Sequence, residues 1–105
     1  MFHILLLNNQ NISNSICLLG YFNYHGIGIG INRQNAFELY QKAANLGNRT
    51  AQFNLAKSYE NGYGIAKNVG KAIYWYDKSA KQGDQDAQNK LKHLKIEDGK
   101  IYIMC

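Results

Sequence analysis

Residues 51–83 read AQFNLAKSYENGYGIAKNVGKAIYWYDKSAKQG, and the spacing of their small and apolar residues decides the fold. Ala51, Leu55, Ser58 and Tyr59 fall at i, i+4, i+7 and i+8, one face of a helix. Ala56 flanks that face and is small enough to let a second helix approach. Asn61-Gly62-Tyr63-Gly64 then breaks the helix, because glycine reaches positive φ without a steric penalty and suits a C-cap and a tight turn. A second helix is expected over 69–81, with Ala72, Trp75, Tyr76, Ser79 and Ala80 as its buried stripe. Gly83 ends it, and Asp84 can cap a third.

Working outward, the same unit recurs at a shift of 36 residues. Leu19 falls on Leu55 and then on Leu91. Gly26, Gly28 and Ile29 fall on Gly62, Gly64 and Ile65. Ala36, Tyr40, Lys42, Ala44 and Gly47 fall on Ala72, Tyr76, Lys78, Ala80 and Gly83, and Ala51 and Gln52 on Ala87 and Gln88. In the first copy a helix is expected over 14–24, a turn at Gly26-Ile27-Gly28, and a helix over 34–46 with the stripe Ala36, Leu39, Tyr40, Ala43 and Ala44. A third first-helix spans 85–94 through Ala87, Leu91 and Leu94. A period of this length marks a repeat architecture in which each unit is one supersecondary element. The fold class is therefore all-α, a solenoid of antiparallel helix–turn–helix repeats. The expected divisions are 1–12, a partial helix or cap; 13–48 and 49–84, the two repeats; 85–95, the first helix of an incomplete third; and 96–105, a tail.

These residues resemble the Sel-1-like repeat, a branch of the tetratricopeptide superfamily. Its pattern is roughly A-x-x-x-L-G-x-x-Y-x-x-G-x-G-V followed by K-A-x-x-W-x-x-K-A-A-x-x-G. The second copy follows it nearly throughout, with Ala56 for Gly, Ile65 for Val and Ser79 for Ala. The first departs further, with Ser15 for the opening Ala, Asn23 for Tyr and Leu39 for Trp. The resemblance covers about residues 13–94. It implies a tetratricopeptide-like right-handed superhelix whose first helices (the A helices) line a groove backed by the second (the B helices).

Composition bounds the function classes. The 105 residues carry a formal net charge of +5. Arg33 and Lys42 against Glu38 give +1 over the first 48 residues; ten Lys/Arg against six Asp/Glu give +4 over the rest. No block of like charge marks a nucleic-acid tail. Cys17 and Cys105 have neither metal-ligand spacing nor the density of a disulfide framework, which favours a reduced, intracellular setting, the cytoplasm first. The apolar start, residues 1–7, is brief and lacks a basic region, so it reads as the last turns of a helix ended by Asn8-Asn9-Gln10-Asn11, with a signal peptide as the alternative. No stretch approaches the roughly 20 apolar residues of a membrane span.

Candidate chemistry is sparse. Gly26-Ile27-Gly28-Ile29-Gly30 lacks the following Gly-Lys-Ser/Thr of a phosphate loop, and it recurs in repeat phase at Gly62 and Gly64. His3, His25 and His93 are scattered and form no metal-ligand pair. Cys17 has no neighbour in sequence to activate it as a nucleophile. Asp84 and Asp86 open a helix, where negative charge suits the positive dipole end, and Glu97-Asp98 sit in a tail turn. Tyr40, Tyr59, Trp75 and Tyr76 occupy packing positions before they suggest base stacking. The reading is a non-enzymatic chain without cofactor.

What remains is a surface. Opposite Ala51 and Leu55, the second A helix carries Phe53, Lys57 and Glu60; one repeat earlier stand Cys17, Tyr21 and Tyr24, and one later Asn89 and His93. Aromatic anchors among polar groups suit recognition of a peptide or protein, and the resemblance implies a groove-binding adaptor or scaffold. Two alternatives stand beside it. One is weak nucleic-acid binding through Lys90, Lys92 and Lys95; the other is an inert piece of a longer repeat array. The apolar segments 1–7 and 101–105 suggest improvised caps or self-association through the solenoid ends.

Overall fold

A computed structural model describes residues 2–98, with side chains from residue 10 to 94. Five helices follow one another: α1 (Phe2–His25), α2 (Arg33–Asn45), α3 (Arg49–Asn61), α4 (Val69–Lys81) and α5 (Gln85–Asp98). No strand occurs among the described residues. Each helix packs on its neighbours in the chain, so α3 lies between α2 and α4, and α4 between α3 and α5. α1, α3 and α5 are the A helices, α2 and α4 the B helices.

The starts of four helices are fixed by side-chain caps. Asn32, Asn48, Asn68 and Asp84 accept hydrogen bonds from the backbone N–H three residues on, at Asn35, Ala51, Lys71 and Ala87. Each such cap contributes about 1 kcal/mol. The A–B turns are superimposable in their bonding. Gly26 and Ile27 donate to the Phe22 carbonyl as Gly62 and Tyr63 donate to that of Ser58, and Asn32 N–H returns to Asn23 as Asn68 N–H returns to Tyr59. Gly62 and Gly64 take φ of +79° and +76°, the left-handed conformation in which a β-carbon is penalised. Gly26 and Gly28 adopt it one unit earlier.

The core runs along the seam between the two helix layers. Ala36, Tyr40, Ala43, Ala44, Ala51, Leu55, Ala56, Tyr59, Ala72, Tyr76 and Ala87 are buried, with Leu91, Trp75 and Ala80 half-buried against them. Small residues let the helices close, and Phe37 meets Tyr59 edge-on across α2 and α3, ring centroids 5.3 Å apart. Among the described side chains, none leaves a buried polar atom without a partner. Gln52 and Gln88 make the same bond one unit apart, each amide nitrogen donating to a carbonyl of the preceding B helix, at Ala44 and Ala80.

Five expectations are corrected. Asn8-Asn9-Gln10-Asn11 does not end a helix: α1 is continuous through it, since Asn costs less than about 0.7 kcal/mol in a helix interior. Leu19 is 47 % exposed where its equivalent Leu55 is 0 %, because among the described residues α1 packs chiefly on α2 alone, whereas α3 lies between α2 and α4. Cys17, placed on the open face, is buried, and burial pushes its thiol pKa up. Trp75, Ala80 and Leu39 are only half-buried. Glu97 and Asp98 belong to the last turn of α5, not to a loop. The expected caps at residues 1–7 and 101–105, and Cys105, lie outside the described side chains.

Candidate functional site

The outward face of the A helices carries recesses on either side of α3. The first, of about 100 Å³, lies between α1 and α3 and is lined by Tyr21, Tyr24, His25, Tyr40, Asn54, Lys57 and Tyr63. Helical spacing explains the gathering. Tyr21, Tyr24 and His25 sit at i, i+3 and i+4 on α1, and Asn54 and Lys57 face them at i and i+3 on α3. The Tyr21 and His25 rings lie 4.2 Å apart, and Tyr24 meets His25 edge-on at 4.7 Å. The second, of about 520 Å³, lies between α3 and α5 and is lined by Phe53, Glu60, Asp86, Asn89, Lys90, His93 and Leu94.

The seven residues read from the sequence are thus divided: Tyr21, Tyr24 and Lys57 meet at the first recess, Phe53, Glu60, Asn89 and His93 at the second. They also differ in what they are free to do. Tyr21 is 43 % exposed. Glu60 is committed internally: one carboxylate oxygen accepts the Tyr76 hydroxyl at 2.6 Å and the other accepts Lys90 Nζ at 3.3 Å. It fastens α5 to the α3–α4 pair. Phe53 packs edge-on against Tyr76 at 5.4 Å, with Lys57 Nζ 5.7 Å above its ring. Tyr24 is held against Tyr63 at 5.5 Å, and the Arg33 guanidinium lies over both rings, 4.7 and 4.9 Å from their centroids. Burial, then the Tyr63 phenol, pushes the Tyr24 hydroxyl pKa up, against the opposing pull of Arg33.

Sequence reasoning missed Arg33, Tyr63 and Asn54. Arg33 lies on α2 and Tyr63 in a turn, so neither is on an A-helix stripe. Their meeting depends on the stacking of one unit on the next. Asn54 carried a signal in principle, being three residues before Lys57 on the same face. A third recess of about 280 Å³ adjoins the first and is lined by Asn14, Cys17, Leu18, Tyr21, Asn48, Thr50 and Asn54. A larger recess, about 700 Å³, lies at the B–A linkers around Leu46, Asn48, Arg49 and Gln82. Its amides are already engaged: Asn48 donates to Asn14 at 2.8 Å, and Gln82 to Gln52 at 2.8 Å and to the Gly47 carbonyl at 3.0 Å. It is a junction between units, and the A-helix face offers more unengaged aromatic and cationic groups.

Among the described residues no group of three or more His, Cys, Asp or Glu side chains converges, and no described helix is long and apolar enough to cross a membrane. Of the three lysines named for the nucleic-acid alternative, Lys90 is paired to Glu60, and the side chain of Lys95 lies outside those described.

The Sel1 repeat model matches residues 13–48 and again 49–84. The chain belongs to the Sel1 repeat family. Sel1 repeats are in general protein–protein interaction modules and typically non-enzymatic. Among solved structures, a Sel1 repeat protein from Oxalobacter formigenes is similar with a TM-score of 0.76 and 33 % identity, over 77 % of this chain and 61 % of that one. The protective antigen c5321 of uropathogenic Escherichia coli, which displays the same repeat fold, is similar with a TM-score of 0.79 and 35 % identity, over 84 % of this chain and 19 % of that one. Among curated proteins, DAP3-binding cell death enhancer 1 of Rattus norvegicus is 36 % identical over 61 % of this chain, and chitin synthase regulator SKT5 of Saccharomyces cerevisiae 35 % identical over 75 %. This Sel1 chain spans only 13 % and 12 % of their lengths.

Proposed function

We propose that this chain is a non-catalytic adaptor module that binds an extended peptide or protein segment along the outward face of α1, α3 and α5. The observation that carries the reading is the recess where Tyr21 and His25 of one unit meet Asn54 and Lys57 of the next. It sets an exposed aromatic beside a cation and an amide, the combination in which a ring supplies contact energy and polar groups fix register. The names of the two curated relatives, one for binding DAP3 and one for regulating chitin synthase, support a role exercised on another protein.

The test selects peptides from a random display library on the immobilised full chain and measures each by fluorescence anisotropy. Tyr21→Ala combined with Lys57→Ala is expected to weaken selected peptides at least about tenfold, the effect of roughly 1.4 kcal/mol, while circular dichroism stays unchanged. Equal affinity for wild type and variant would remove the first recess from the binding surface.

A further inference from the structure

Tyr40 and Tyr76 stand 36 residues apart, at the same place in successive units, and meet different neighbours. The Tyr76 hydroxyl donates to one Glu60 carboxylate oxygen at 2.6 Å, and Lys90 Nζ donates to the other at 3.3 Å. One unit earlier the positions of Glu60, Lys90 and His93 are held by Tyr24, Asn54 and Lys57. These three line the first recess, as their counterparts line the second. The two recesses are therefore one location repeated. In the later unit the chain's own carboxylate covers the buried tyrosine. In the earlier unit Tyr24 packs on Tyr63 with Arg33 over both rings, and no Asp or Glu lines the recess. Tyr40 is only 2 % exposed and borders that space. Burial keeps its hydroxyl protonated, so it is a donor. Lys57 forms no ion pair among the described residues, and Asn54 adds an amide. A hydroxyl, an amide and an ammonium group thus border about 100 Å³ with no opposite charge among its lining residues. A water molecule's share of the liquid is about 30 Å³, so a carboxylate group has room there. Hydrogen bonds to an ionised acceptor are roughly twice as strong as neutral ones, so the space favours an anion over an uncharged group of the same shape.

We propose that the first recess takes an aspartate or glutamate side chain of the bound peptide, seated where the Glu60 carboxylate sits in the next unit. The inference rests on the A-helix face being the peptide-binding surface, and it names the chemistry of the anchor. Tyr40 donates to the incoming carboxylate as Tyr76 donates to Glu60. Lys57 supplies the positive charge that Lys90 supplies to Glu60. The second recess already holds its own carboxylate, so the acidic anchor belongs to the first recess alone.

The test uses a random peptide library displayed through its C-terminus and selected on the immobilised full chain. Selected peptides are synthesised with an amidated C-terminus, so that only side-chain carboxylates are read by fluorescence anisotropy. They are expected to share one Asp or Glu, whose replacement by Asn or Gln weakens binding at least about tenfold, the scale of a hydrogen bond to a charged group. On the chain carrying Tyr40→Phe with Lys57→Gln, the same replacement is expected to cost less than about threefold. Tyr24→Glu is the second variant should the first lose its fold. It gives the recess a carboxylate of the chain's own and should likewise abolish the preference for an acid. Selected peptides that share no acidic position overturn the proposal, and so does an acid-to-amide loss undiminished in both variants. Peptides that depend on Tyr21 and Lys57 but on no acid overturn this inference alone, whereas failure to select any peptide overturns the adaptor reading with it.

Discussion

Leu55 and Leu19 occupy the same place in successive units and differ only in what lies beyond them. A leucine sealed on all sides costs roughly 2–5 kcal/mol when cut to alanine, the transfer loss plus the cavity left behind. An exposed one leaves no cavity. Leu55→Ala is therefore expected to cost about 3 kcal/mol and Leu19→Ala less than about 0.5 kcal/mol, read from urea unfolding of the two variants. Near-equal costs would show that the end of α1 is packed as tightly as the middle of the array. Tyr40 and Tyr76 form a second pair in phase. Both are buried, and burial pushes both hydroxyls well above the ordinary tyrosine range, with the Glu60 hydrogen bond adding to the effect at Tyr76. The unfolded chain ionises these groups near pH 10 while the folded chain keeps its protons. Their contribution is whole below pH 10 and is lost as pH rises beyond it. The slope is about 1.4 kcal/mol per pH unit for each tyrosine. Tyr76→Phe removes one titrating group, so its stability should fall less steeply between pH 10 and 11.5 than that of wild type. Parallel slopes would mean that Tyr76 ionises in the folded state.

At the scale of the element, the turns carry the sharpest prediction. Gly28 and Gly64 share a left-handed backbone, so alanine at either carries the same conformational penalty of roughly 1–2 kcal/mol. Only at Gly64 does the added carbon also run into the backbone of the preceding unit. Gly64→Ala should lower the midpoint of thermal unfolding clearly further than Gly28→Ala, and comparable midpoints would show that the turn gives way. Most of this architecture was legible beforehand, because helix period, cap residues and turn glycines are local chemistry written within a few positions. The span 69–81 is α4 as it stands. What stayed hidden depends on neighbours. The exposure of Leu19 follows from α1 packing chiefly on α2, where α3 is packed from both sides. The engagement of Glu60 with Tyr76 and Lys90 needs three helices at once, and the Arg33 stack joins residues from three elements. The sequence shows the candidate surface as one mixed row along the A helices, whereas packing divides it into an open recess at Tyr21 and Lys57 and a partly committed one around Glu60.

At the scale of the whole molecule, the antiparallel hairpins place every A–B turn along one edge and every B–A linker along the other. The units are fastened by different chemistry at the two edges. Along the linker edge run amides: Asn48 to Asn14, Gln82 to Gln52 and to the Gly47 carbonyl. Along the turn edge the guanidinium of Arg33 lies over two phenol rings that meet edge-on. Hydrogen bonds of this kind are directional and weaken steeply with misalignment, whereas a cation over a ring face stays attracted within about 6 Å of its centroid. A bend that opens the linker edge must break bonds one by one, while the same displacement at the turn edge lets the stack slide. The two edges of the array are therefore held by contacts of different geometric tolerance, strict where amides bond along the linkers and broader where the cation rests on rings along the turns.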